Sequence, residues 1–208
     1  MTSKRTVKAG VGIAALALLK RSKYRPATAI AEYVDNSIGS FLKEKTILNK
    51  LNKNYKLKIE IKKEGRKLTI HDNAGGIADK DYDRAFELAE PPEDTTKLNE
   101  YGFGMKGASY WFTNNWTVKT KHHSENVGKI VSFDFKKILK NKIEKAEVDE
   151  RPMNNKKSFT TVIIEKIERP ITDRVRDEII EKLSSIHRFL IDKYKIEIIY
   201  TDVEKKFK

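Results

Sequence analysis

The stretch from Pro26 to about Leu51 most constrains what this chain can fold into. Ile30, Val34, Ile38, Phe41 and Leu42 recur at the spacing of one helical face. Pro26 suits the first turn of a helix, where its missing N–H costs nothing. The period then changes. Leu57, Ile59 and Ile61 alternate with polar residues, Glu64-Gly65-Arg66 forms a turn, and Leu68 and Ile70 begin the return strand. A short helix is expected over Asp79 to Ala89, and a polar loop with two prolines, long enough for a lid, over Glu90 to Tyr101. A helix should follow Gly104. Strands are expected near 116–122, 128–135, 143–148 and 158–166, then a helix over Asp173 to Tyr194 and a last strand over Lys195 to Thr201. A hairpin set among helices, followed by strands and a helix, argues for an α+β two-layer sandwich rather than a doubly wound sheet.

Charge and cysteine content narrow the chemistry. The chain has 208 residues and a formal charge of +13, of which +9 falls in residues 1–60, −1 in 61–120 and +5 in 121–208. Basic ends suit nucleic acid, nucleotide phosphates or an anionic surface, and equally a lysine-rich solubilising surface. With no cysteine, disulfides, thiolate metal sites and cysteine nucleophiles are excluded. The apolar run Ala9 to Leu19 is shorter than the ~20 residues a membrane helix needs. It runs into Lys20, Arg21, Lys23 and Arg25 without a small-residue cleavage site, so it reads as an internal helix of a cytoplasmic protein with no membrane partner.

Three motifs carry chemistry. In Glu32-Tyr33-Val34-Asp35-Asn36-Ser37, a helix puts Glu32 and Asn36 one turn apart on one face. The carboxylate could activate a water and the amide oxygen could ligate Mg2+; the alternative is a polar helix face. In His71-Asp72-Asn73-Ala74-Gly75-Gly76-Ile77, glycines allow close backbone approach at a strand end, and Asp72 could accept from an amine; the alternative is an ordinary turn. In Tyr101-Gly102-Phe103-Gly104-Met105-Lys106-Gly107, glycine-lined amides at a helix start form an anion site to which Lys106 adds a charge. A P-loop is absent, as is a dinucleotide-binding fingerprint after a first strand.

In combination and order these motifs resemble the GHKL, or Bergerat-fold, ATPases: gyrase B subunits, the ninety-kilodalton heat-shock chaperones, histidine kinases and MutL proteins. Glu32 and Asn36 match the family's N box, Asp72 to Gly76 its adenine box and Gly102 to Gly107 its lid glycine box. Phe159-Thr160-Thr161-Val162 resembles the last box, with Thr161 at the family threonine. The wording of the first and third motifs is most similar to microrchidia (MORC) ATPases. Three positions depart from the pattern: Ala74 and Thr160 stand where glycines are usual, and Asn99 at a lid glycine.

The resemblance implies a mainly antiparallel mixed sheet and Mg2+-dependent ATP hydrolysis. Glu32 would be the base, Asn36 would hold Mg2+, and Asp72, Gly76, Ile77 and Thr161 would surround adenine. Gly102, Phe103, Gly104, Met105, Lys106 and Gly107 would close over the phosphates, with Lys97 a lesser lid candidate. It further implies slow turnover, an ATP-dependent homodimer acting as a clamp, and DNA as a candidate partner. Residues 1–170 would form the ATP-binding domain, and 171–208 a helix and strand that begin a transducer domain or form an extension. The alternatives are a clamp on protein clients, or a basic DNA-binding module with a vestigial nucleotide site. A histidine or protein kinase is disfavoured because it has no use for Glu32. Asp35 reads as a water-mediated neighbour of the metal or a solvent-facing residue. His71 reads as a spacer, and His122-His123 as a polar turn pair without partners at metal-ligand spacing.

Overall fold

The computed structural model describes residues 4–8, 25–86, 104–141, 145–153 and 157–204. Helix α1 spans Pro26–Leu51, as its apolar spacing requires. Arg25 before it is extended (φ −100°, ψ 144°), the conformation a following proline enforces. Ile30, Val34, Ile38 and Phe41 are each at most 1% exposed. Burial of each such side chain contributes about 1.5–3 kcal/mol.

The hairpin follows as strands β2 (Lys58–Glu64) and β3 (Lys67–Asp72), joined through Gly65 at φ 56°. The expected helix after Asp79 is a single 3-10 turn, Asp79–Asp81, leading into α2 (Tyr82–Phe86). Helix α3 (Gly104–Phe112) precedes β4 (Asn115–Lys121) and β5 (Val127–Asp134). Helix α4 (Phe135–Asn141), β6 (Lys145–Pro152) and β7 (Phe159–Glu165) come next. Helices α5 (Asp173–Ile186) and α6 (Arg188–Tyr194) and strand β8 (Glu197–Asp202) complete the order.

With β1 (Lys4–Lys8), the strands form one eight-stranded sheet in the order β1-β6-β5-β4-β7-β3-β2-β8. Every neighbouring pair is antiparallel except β2 with β8. One face carries Leu68, Ile70, Trp116, Val118, Val131, Phe133, Val148, Val162 and Ile164, which are buried with α1, α3 and α5 in one core. Helix α1 packs against both α3 and α5. Residues alternating with these, such as Lys119, Ser132 and Asp149, are exposed on the other face. This is the α+β two-layer sandwich with a mixed, mainly antiparallel sheet that the sequence led us to expect. Among the described residues no helix is long and apolar enough to cross a membrane.

Three elements differ from expectation. The helix expected over Asp173 to Tyr194 is two helices, broken at His187 (φ −98°, ψ 1°), whose imidazole reaches Asp35 on α1. Strand β1 has one apolar residue, Val7, so no alternation marks it. Helix α4 is short and follows β5 directly; the Asp134 carboxylate accepts the Lys137 N–H at 3.1 Å and starts it. The Ala9 to Leu19 segment and the lid over Glu90 to Tyr101 lie outside the described residues.

Candidate functional site

The first and third motifs meet at Gly104. Helix α1 holds Glu32 and Asn36 half-buried, one turn apart. A Cβ added to Gly104, at the start of α3, would lie 2.6 Å from Glu32 Oε2 and 3.7 Å from Asn36 Nδ2. Only a residue without a side chain lets the α3 N-terminus come this close to the carboxylate. The backbone amides there are aligned for an anion. Within α3, Lys106 and Gly107 are buried and Met105 packs partly buried against the core. Tyr33 and Ser109 share a hydroxyl–hydroxyl hydrogen bond of 3.0 Å that ties α3 to α1. Gly102, Phe103, Lys97 and Asn99 lie outside the described residues.

The second motif is joined to the same helix through Asp72 at the end of β3. Its Oδ2 accepts the Ser37 hydroxyl at 2.7 Å; its Oδ1 accepts the Ala74 N–H at 2.9 Å and the Thr160 N–H at 3.3 Å. Burial pushes the Asp72 carboxyl above its ordinary pKa, while the Ser37 and Ala74 hydrogen bonds pull it back. Ser37 also donates to Tyr33 O at 3.0 Å. Gly76 takes φ 75°, and a Cβ there would sit 2.1 Å from Lys121 O, so the loop passes β4 only as glycine. Ala74 is not among the residues with positive φ, so its departure from glycine carries no backbone strain. The Ile77 N–H donates to Thr120 Oγ1 at 2.9 Å.

The pairing register corrects one expected residue. Across β3 and β7, Asp72 faces Thr160 and His71 faces Thr161. Directly opposed residues share a face, so Thr161 lies on the other side of the sheet from Asp72. Its hydroxyl pairs with His71 Nδ1 at 2.8 Å and is not part of the Asp72 site. The hydroxyl on the Asp72 side is that of Thr160, 3.3 Å from Thr120 Oγ1. The signal was in the sequence: Leu68, Ile70 and Asp72 alternate in phase, as do Thr160, Val162 and Ile164.

Two further pairings were not legible from spacing. Asp35 is partly buried and pairs with His187 Nε2 at 2.7 Å, and His187 is 2% exposed. His122-His123 does have a partner at ligand distance, Glu44 of α1, whose Oε2 lies 3.0 Å from His123 Nε2. Burial and the neighbouring His123 push His122 below the ordinary imidazole pKa.

These residues fit a purine nucleotide with its metal. Each carboxylate oxygen can accept about two hydrogen bonds, and Oδ2 of Asp72 accepts one among the described residues, which leaves capacity for an exocyclic amine. The side-chain-free start of α3 lies directly beside Glu32 and Asn36. Asn36 offers a hard amide oxygen, the donor class that Mg2+ takes. A family model described as histidine kinase-, DNA gyrase B- and HSP90-like ATPase matches residues 24–168. No curated protein matches the chain.

Proposed function

We propose, for a chain that belongs to the histidine kinase-, DNA gyrase B- and HSP90-like ATPase family, that this protein is a slow Mg2+-dependent ATP hydrolase whose nucleotide site controls dimerisation. The observation that carries the reading is the convergence of Glu32 and Asn36 on Gly104 at the start of α3. It brings a base, an oxygen ligand and an anion-binding helix end to one point. Asp72 would accept the adenine amine, with Thr160 and Thr120 beside it and Gly76 and Ile77 shaping the loop. Asn36 would hold Mg2+, which when bound neutralises phosphate charge. Gly104, Met105, Lys106 and Gly107 would line the phosphate end, joined from the lid by Gly102 and Phe103. Glu32 would orient the attacking water and take its proton. Positioning and charge neutralisation would supply most of the rate.

The wording of the first and third motifs supports placing the protein near the microrchidia ATPases, and with them an ATP-gated clamp. The pairing of β8 with β2, and the packing of α5 on α1, support reading residues 171–204 as part of the ATP-binding domain rather than the start of another. Glu32→Ala tests the central assignment. It should bind ATP as wild type does and lose turnover. Phosphate release at the wild-type rate would refute Glu32 as the base.

A further inference from the structure

The geometry points to a second metal site, separate from the nucleotide site: Glu44, His122 and His123 form a three-ligand site for a divalent transition metal of the zinc class. One carboxylate oxygen of Glu44 and one ring nitrogen of each histidine all lie within 4.8 Å of one another. Glu44 Oε2 and His123 Nε2 are already 3.0 Å apart. Tetrahedral zinc with bonds near 2.0–2.1 Å places neighbouring ligand atoms about 3.3 Å apart. The widest gap in the cluster therefore closes by up to about 1.5 Å, within the reach of side-chain rotation. Two imidazoles and a carboxylate form a donor set that zinc, copper and nickel accept, whereas magnesium and calcium want oxygen alone.

The site is built rather than incidental. The His122 ring is held by Ser124, whose Oγ lies 2.7 Å from Nδ1 and whose backbone N–H donates to the same atom at 3.3 Å. Gly75 lets Glu44 lie against the loop, because a Cβ there would be 2.6 Å from Glu44 Cγ. The His123 N–H donates to Gly75 O at 3.3 Å. The cluster opens on a cleft of about 510 Å³, which leaves a coordination position for water. Four carboxylates line that cleft, and Asp81 among them pairs with Lys43 at 3.3 Å. Lys129 pairs with two of the carboxylates, Asp79 and Glu125, leaving Glu44 to the histidines. A bound ion would tie α1, the 74–78 loop and the turn after β4 together at one point.

The test uses the full chain without an added polyhistidine tag, stripped of metal and free of nucleotide, so the outcome is independent of the ATP reading. Calorimetric titration with ZnCl2 should show one ion per chain and a higher melting temperature on binding. Substituted Co2+ should give the intense visible bands of four-coordinate geometry. His122→Ala and His123→Ala should each weaken Zn2+ binding by more than tenfold, while His71→Ala should not. Glu44→Gln preserves size and should also weaken binding, and it decides the matter if circular dichroism shows an alanine variant unfolded. Absence of stoichiometric uptake by the wild type, or undiminished binding by the two histidine variants and by Glu44→Gln, would overturn the site.

Discussion

Gly104→Ala separates the chemistry of the proposed nucleotide site from its folding. The added methyl would lie 2.6 Å from Glu32 Oε2, whereas ordinary contacts begin at 3.4 Å. The carboxylate must therefore retreat by about 0.8 Å. Glu32 is a flexible side chain, so this retreat costs the fold little. Alanine is also the better helix former, by roughly 0.5–1 kcal/mol in helix interiors. The melting temperature should stay within a few degrees of wild type. Turnover should not: a misplacement on this scale costs on the order of 10²-fold in rate, about 2.7 kcal/mol of barrier. Steady-state phosphate release and calorimetric nucleotide affinity, measured on the same preparation, distinguish the two effects. Affinity should change far less than turnover. A turnover within threefold of wild type would mean that the Glu32 carboxylate does not act where Gly104 admits it. A large drop in melting temperature would mean that the helix start is packed for stability instead.

Asp72→Asn should weaken ATP binding by more than tenfold, because the acceptor for the adenine amine becomes a donor; retained tight binding by calorimetry would sink the adenine assignment. The same variant tests burial of the charge. Burial raises the folded pKa of Asp72 above 3.8, so the folded chain binds this proton more tightly than the unfolded one. That contribution is present below pH 3.8 and lost as pH rises through the folded value. The stability of Asp72→Asn relative to wild type, from urea midpoints, should therefore grow from acid to neutral pH, and a shrinking difference contradicts the sign. His187→Ala removes the buried partner of Asp35 and should cost about 1.5–3 kcal/mol in denaturant unfolding; no loss would show the pair to be incidental. A non-hydrolysable ATP analogue should shift the elution size from monomer to dimer, and an unchanged size argues against the clamp. Duplex DNA binding, read by fluorescence anisotropy, should weaken steeply with salt; no binding at low salt removes DNA from the partners.

What the sequence made legible depended on local signals. Pro26, the apolar spacing to Leu51 and the turn at Gly65 marked α1 and the hairpin because each is decided within a few residues. The Glu32–Asn36 pair followed from helical periodicity alone. Thr160 and Thr161 differ by one position, and their roles depend on which faces Asp72, which is a matter of strand register. His187, where the helix breaks, pairs with Asp35, 152 positions earlier in the chain. Glu44 and His123 are separated by 79 positions and come together only because Gly75 and Gly76 thread a loop between α1 and β4. Contacts of that kind leave no periodic trace.

The placement of β1 and β8 sets the order in which this fold can be completed. They form the two opposite edges of one sheet, and β8 pairs with β2 across 139 positions, as in the Lys63–Asp202 ion pair. Such distant pairing is slow, because a long loop must close before any contact stabilises it. During synthesis the N–H and C=O groups along the β2 edge therefore stay open until β8 has left the ribosome. A chain cut after residue 168, where the family match stops, would keep every motif residue yet leave that edge ready to pair with another copy. Aggregation of such a fragment would report the missing strand and the α1 surface that α5 no longer covers, rather than any fault in the nucleotide site.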